Sequence, residues 1–223
     1  MIDSKKIVNS ILTMAGLKEQ YREIVESQLN AFARYLLSEM KWKFMLASTT
    51  DTTVVGTRTY TLTGANNDLA AIHSIRYGTW RVPLQQYDVE LFDQERAGSS
   101  SDVGEPYGYA ITATDIIAAH IFPIIEFLGS PTSEETIYIR YWKEVPSDPF
   151  KALPDPFEYF LNLHLAFLWD NDPMRKQGWA EEEERVLFNL HTRYAYMSSQ
   201  RPELIKETLQ DMVRICHVNQ SYY

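Results

Sequence analysis

The sequence predicts an α+β protein, an antiparallel helix bundle with a small, mainly antiparallel β subdomain inserted into it. Three observations lead there. From Leu17 to Phe44 apolar residues recur at steps of three, four or five with no Gly or Pro between them, the pattern of an amphipathic helix. From Ala47 the texture changes to Thr- and Val-rich alternation punctuated by glycines, the pattern of short strands. After Leu153 the helical spacing returns. The expected organisation is therefore 1–46 with 151–200 as the helical bundle, 47–150 as the inserted β subdomain, and 201–223 as a C-terminal helix and tail.

In chain order, Asp3 or Ser4 caps a short first helix carrying Ile7, Val8, Ile11, Leu12 and Met14, and Gly16 stops it. The long helix follows, with Tyr21, Ile24, Phe32 and Leu36 expected to pack against 157–168 and 186–194. Ala47 to Gly64 reads as strand, turn, strand, and Ala70 to Arg81 as a strand that ends at a Gly78-Thr79 turn. A short amphipathic helix is expected from Tyr87 to Arg96, with Val89, Leu91 and Phe92 available to pack. The run Ala97 to Pro106 is a flexible loop. Strands follow at Pro106 to Ala113 and Ala118 to Ile125, and Pro123 marks the second as an edge strand or its end. Ile137 to Trp142 is the clearest strand. Pro156 sits in the first turn of a helix bearing Phe157, Phe160, Leu161, His164, Leu165 and Leu168. The segment 172–174 breaks that helix or caps the next, Gln177 to Met197. Pro202 opens a last helix with Leu204, Ile205, Leu209, Met212 and Val213, and the chain closes on Tyr222 and Tyr223.

Composition narrows the function. With 45% hydrophobic and 13% aromatic residues among 223, the chain can build a core and is not wholly disordered. No apolar run approaches the ~18 residues of a membrane span, and the N-terminus is unlike a signal peptide. A single cysteine, Cys216, excludes an intrachain disulfide and fits a reducing cytosol. The net charge of −9 is unevenly spread: from Asp88 to Glu135 there are ten acids against Arg96 alone, while the remainder balances. Tight binding of nucleic acid phosphates, which is built from Lys and Arg, is not expected. Asp88, Glu90, Asp93, Glu95, Asp102 and Glu105 instead suggest an acidic surface, either a solvated face or the wall of a channel.

No catalytic or metal-binding residues are designated. The five histidines have no HxH or HExxH spacing, and His164 on an apolar stripe reads as a core histidine. Glu181 to Glu184 point in different directions, about 100° apart, and read as a solvated helix face. Phosphate-binding glycine loops and the GxSxG elbow do not occur. No cofactor is expected.

The order of elements carries a resemblance. Two N-terminal helices end in Trp42-Lys43-Phe44. A Thr-rich strand with Tyr60-Thr61-Leu62 follows, then Ile72 and Ile75, with Arg81 and Leu84 in the next segment. Glu105-Pro106-Tyr107 precedes a further strand, Ile137 to Trp142 closes the β region, and Leu153-Pro154, Phe157, Ala166 and Trp169 mark the returning helix. This layout, over most of residues 1–200, resembles the head-to-tail adaptor (connector) proteins of tailed bacteriophages. The resemblance implies no catalysis by this chain, and a ring of about twelve copies beneath the portal protein in the neck of the virion. Such a protein is made in the host cytoplasm. Its partners would be the portal, other copies of itself, and tail proteins such as nozzle or tail-tube subunits, with DNA passing without tight binding and no membrane involved. By analogy, Leu204, Ile205, Leu209, Met212, Val213, Tyr222 and Tyr223 would contact portal or neighbour as a docking arm; the same segment also reads as a fifth core helix. Two other readings stand beside this one, a virion-associated cell-wall hydrolase and an unrelated soluble interaction module.

Overall fold

The computed structural model describes residues 2–64, 67–98, 104–117 and 120–195. Its elements, in order, are α1 (Ser4–Met14), α2 (Arg22–Glu39), β1 (Leu46–Thr52), β2 (Thr59–Thr61), β3 (Leu69–Tyr77), β4 (Gln85–Tyr87), α3 (Val89–Gly98), β5 (Gly108–Ile117), β6 (His120–Leu128), β7 (Thr136–Lys143), α4 (Phe157–Trp169) and α5 (Pro173–Tyr194). The protein is mixed α and β. It divides into two compact units, one running to Phe44 and resuming at Val145, the other Met45–Glu144.

In the helical unit, the Asp3 carboxylate caps α1 by accepting from the Lys5 and Lys6 amides. Gly16, at φ +62°, ends it: Leu17 N–H donates to the Leu12 carbonyl and Gly16 N–H to Thr13, the paired bonds of a left-handed helix stop. The second helix is shorter than its sequence pattern. It begins at Arg22 after a single tight turn, Glu19–Tyr21, and ends at Glu39, with Met40 already extended. The reason lies in Trp42. Its ring is fully buried, and its indole N–H donates to the Leu36 carbonyl at 2.6 Å. One of the last orphaned carbonyls of α2 is thereby satisfied by a side chain instead of a further turn.

Val25, Leu29, Phe32 and Leu36 form the buried seam of α2. Ile24, expected in that seam, is 42% exposed. It precedes Val25 by one residue, so it stands about 100° round the helix, on the flank of the stripe. Helix α4 is buried at eight of its thirteen positions because it packs against α1, α2 and α5 at once, so no polar face is needed. Asp172 caps α5 by accepting from Met174 N–H, with Pro173 in the first turn where its missing donor costs nothing.

The glutamate run at 181–184 is not uniformly solvated. Glu183 is buried, and its carboxylate lies 2.6 Å from Nδ1 of buried His164. The 100° steps that spread the run around the helix also turn one member inward. His164 also stacks face to face on Phe32, centroids 3.5 Å apart.

The β unit contains two sheets. One is antiparallel, in the order β1-β7-β3; the other runs β2-β6-β5-β4, with β4 parallel to β5. Their inner faces share a core that includes Ile75, Ile139 and Tyr141 from the first and Tyr109, Ile125 and Phe127 from the second. The two strands read in Ala47 to Gly64 are present but do not pair; β1 joins β7 and β2 joins β6. Pro123 does not mark an edge. It lies inside β6, which is flanked by β5 and β2. Its carbonyl accepts from Leu62 N–H, so the position of its missing donor also faces the β2 side, just past the last paired residue of that short strand. The β5 ladder loses nothing.

Candidate interaction surfaces

Of the carboxylates singled out in the sequence, Glu90, Asp93 and Glu95 lie on helix α3 and Asp88 immediately precedes it. The Asp88 carboxylate starts it by accepting from Leu91 N–H at 2.9 Å. Phe92 anchors it, buried against Ala110 and Leu128 on the outer face of the four-stranded sheet, with Tyr87 alongside. Phe92 is its one buried residue; Val89 and Leu91, expected to pack, are 45% and 50% exposed. Asp88, Glu90, Asp93 and Glu95 are all exposed. Arg96 is already engaged, donating to Glu126 at 2.8 Å. Among the described residues, Glu90, Asp93 and Glu95 have no cationic partner. Glu105 is exposed in the segment before β5, where the Glu105 and Gly104 carbonyls lie 2.9 Å from where a Cβ on Gly129 would stand. Asp102 lies outside the described residues, as do Leu204, Ile205, Leu209, Met212, Val213, Tyr222 and Tyr223.

A second surface was not singled out in the sequence. The outer face of the three-stranded sheet forms a cleft of about 500 Å³ whose lining includes Ser48, Thr50, Ser74, Arg76, Tyr138 and Arg140, with Arg81 at its rim from the segment after β3. The strand register builds it. Arg140 on the central strand stands opposite Ser48 on one side and Ser74 on the other; Tyr138 stands between Thr50 and Arg76. The Arg76 guanidinium lies over the Tyr138 ring, 4.8 Å from its centroid, a contact that holds a cation without neutralising it. Among the described residues, Arg76, Arg81 and Arg140 form no ion pair. Their positions were half legible: Arg76 and Arg140 alternate with inward Ile75, Tyr77, Ile139 and Tyr141, so each had to point outward. That they converge depends on β7 lying between β1 and β3, which alternation within one strand does not specify.

A third feature is a two-stranded ribbon. Strands β5 and β6 stay paired from Thr114↔Pro123 to Ile117↔His120, beyond the last residues that β2 and β4 contact. Its cross-strand pair Ile116 and Ile121 is 70% and 60% exposed. His120 Nδ1 lies 3.0 Å from the Glu144 carboxylate.

Burial pushes the Tyr109 phenol up to about 12. The Asp172 amide, the Trp179 indole and nearby cations hold the Asp170 carboxyl below its usual range. Hydrogen bonding to Arg185 likewise lowers Glu182. Among the described residues no group of three His, Cys, Asp or Glu side chains could hold a metal ion, and no helix is long and apolar enough to cross a membrane.

No curated protein matches the chain. Residues 10–203 match the family described as SU10 adaptor protein. That match runs from within α1 through α2, the whole β unit, α4 and α5, and by it this chain belongs to the SU10 adaptor protein family, a phage adaptor family.

Proposed function

We propose that this protein is a structural adaptor in the neck of a tailed phage, where a ring of its copies sits beneath the portal, joins head to tail and lets DNA pass. The observation that carries the reading is the family match over 10–203. Two features of the chain support the finer statement. The exposed, unpaired carboxylates of α3 suit a surface that lies near DNA, since like charge keeps a polyanion from adhering. The reading involves no catalysis, and among the described residues the buried pair His164 and Glu183, with side chains only 1% and 5% exposed, is closed to a substrate.

The helices of the first unit act as an antiparallel bundle, and the β unit supplies the lateral and axial surfaces. The segment 201–223 serves as the portal-docking arm; it lies almost wholly beyond the family match, which ends at 203. Tail subunits bind the opposite end of the ring. The test is reconstitution. Full-length protein mixed with the portal ring of its own phage should give a complex of fixed mass by native mass spectrometry, and the chain truncated at Pro202 should stay folded but not bind. A chain that neither binds portal nor assembles on it would overturn the adaptor-ring reading. Salt-sensitive binding of duplex DNA at physiological ionic strength would overturn the conduit.

A further inference from the structure

The β unit carries opposite charges on opposite faces. The Arg cleft occupies the outer face of the sheet β1-β7-β3. Helix α3 covers the outer face of the other sheet, anchored there by Phe92. The shared core lies between the two sheets, so the guanidinium groups of Arg76, Arg81 and Arg140 cannot reach the carboxylates of Glu90, Asp93 and Glu95 on the same chain. Both sets nevertheless stand exposed and without ion-pair partners among the described residues. The match extends beyond charge. Leu91 and Val89 stand exposed among the carboxylates, and Val82, 70% exposed, adjoins Arg81 at the rim of the cleft.

We infer that the Arg76–Arg81–Arg140 cleft of one copy receives the acidic helix α3 of the next. The pairing presupposes the ring proposed above and specifies its lateral contact. A surface that binds a different surface of an identical neighbour is heterologous, and repetition of such a contact either closes into a ring or grows as a filament. Complementary faces on opposite sides of one sandwich meet that geometric requirement. The guanidinium fork and the hydroxyls of Ser48, Ser74 and Thr50 suit carboxylates, which arginine can grip through two parallel N–H donors. A phosphate could be held by the same groups. Net charge does not choose between them, since a chain of −9 repels duplex DNA and an identical copy alike. The choice rests on the apolar side chains Val89 and Leu91, exposed among the α3 carboxylates, and Val82 beside the cleft, for which a phosphate backbone has no counterpart.

A charge swap tests this. Arg76→Glu/Arg140→Glu makes both faces acidic, and Glu90→Lys/Asp93→Lys/Glu95→Lys makes both basic. All five side chains are exposed, so circular dichroism should be unchanged, and melting should fall by no more than a few degrees where the Arg76 stack on Tyr138 is lost. Arg76→Gln/Arg140→Gln repeats the test without adding new charge. Assembly is read by native mass spectrometry and sedimentation, alone and on the portal ring. Each reversed chain should associate at least tenfold more weakly than wild type, and the glutamine chain should fall between. An equimolar mixture of the two reversed chains should recover assembly, because each then offers the face the other lacks.

Reversed chains that assemble like wild type would overturn the pairing and leave the adaptor ring standing. Loss of assembly that mixing does not recover would also overturn it. Duplex DNA binding by wild type that disappears in Arg76→Glu/Arg140→Glu while assembly persists would make the cleft a phosphate site instead. A wild type that stays monomeric even with portal present would remove the ring reading and this contact together.

Discussion

The contact between His164 and Glu183 can be measured by a double-mutant cycle. The two side chains are 1% and 5% exposed, and the carboxylate lies 2.6 Å from Nδ1. Replacing Glu183 with Leu keeps most of the volume but leaves a ring nitrogen buried without its partner. Removing one partner of a buried, hydrogen-bonded pair costs about 3–5 kcal/mol, whereas replacing both by apolar groups of similar size is often close to neutral. His164→Leu leaves the carboxylate stranded and also forfeits the stack on Phe32. We expect about 3 kcal/mol for each single substitution, and about 3 for Glu183→Leu/His164→Leu, which the lost stack on Phe32 keeps from being neutral, instead of the ~6 of simple additivity. The coupling is then about 3 kcal/mol, at the upper end for residues in contact. Urea unfolding followed by tryptophan fluorescence gives the four stabilities. In a chain of this size each kcal/mol moves the melting temperature by roughly 2–4 °C, so calorimetry offers an independent reading. Additivity to within 0.5 kcal/mol, the scatter of independent sites, would show that the pair is not energetically joined and would refute this reasoning.

Three further outcomes follow from the packing. Phe32→Ala should destabilise by about 3–5 kcal/mol, since Phe32 is buried against Phe160 and His164; Ile24→Ala, at a site 42% exposed, should cost less than about 1 kcal/mol by the same urea titration. Gly129→Ala forces a Cβ to within 2.9 Å of two backbone carbonyls at φ +89° and should lower the melting temperature clearly, whereas Gly178→Ala meets nothing within 4 Å in mid-helix and should raise stability by about 0.5–1 kcal/mol. The Asp170 carboxyl is held below its ordinary value, so the unfolded chain takes up its proton first as pH falls. Its contribution is present above the ordinary carboxylate pKa of about 3.9 and is lost as pH drops through the lower folded value. Asp170→Asn should therefore flatten the acid limb of the stability profile, from the ordinary carboxylate pKa downward; an unchanged acid limb would contradict the assignment.

What was legible in the sequence was local. Leu29, Phe32 and Leu36 announce a buried stripe because helical period is a property of neighbours along the chain, and the alternation of Ile137, Ile139 and Tyr141 announces β7 for the same reason. The charge excess around α3 was visible because it is composition. What escaped was set by contacts distant in sequence. Trp42 ends α2 early by donating to Leu36, which apolar spacing cannot reveal, since Met40 and Phe44 continue the pattern. Glu183 looked solvated because its neighbours are; only the position of α4 alongside α5 supplies His164. Pro123 sits inside β6 because β2 is just three residues long, and strand length in a partner is invisible from the proline. The Arg cleft required Ser48, Ser74 and Arg140, from three separated stretches, to fall in one row.

The pairing of β1 with β7 bears on how so long an excursion can be tolerated. Leu46 lies opposite Trp142, and antiparallel partners stand only about 4.5–5.5 Å apart. The insert therefore departs and returns through one narrow gate. Closing a disordered loop grows costlier only with the logarithm of its length, about 0.6 kcal/mol for each doubling, and a ladder that zips the two ends together makes the intervening length almost irrelevant to the helices outside it. Additions at loops within Met45–Glu144 can then alter what the protein touches while leaving that gate, and the register of the flanking helices, unmoved. An architecture of this kind lets the contact surfaces drift from one assembly to another at little cost to the folding of the rest.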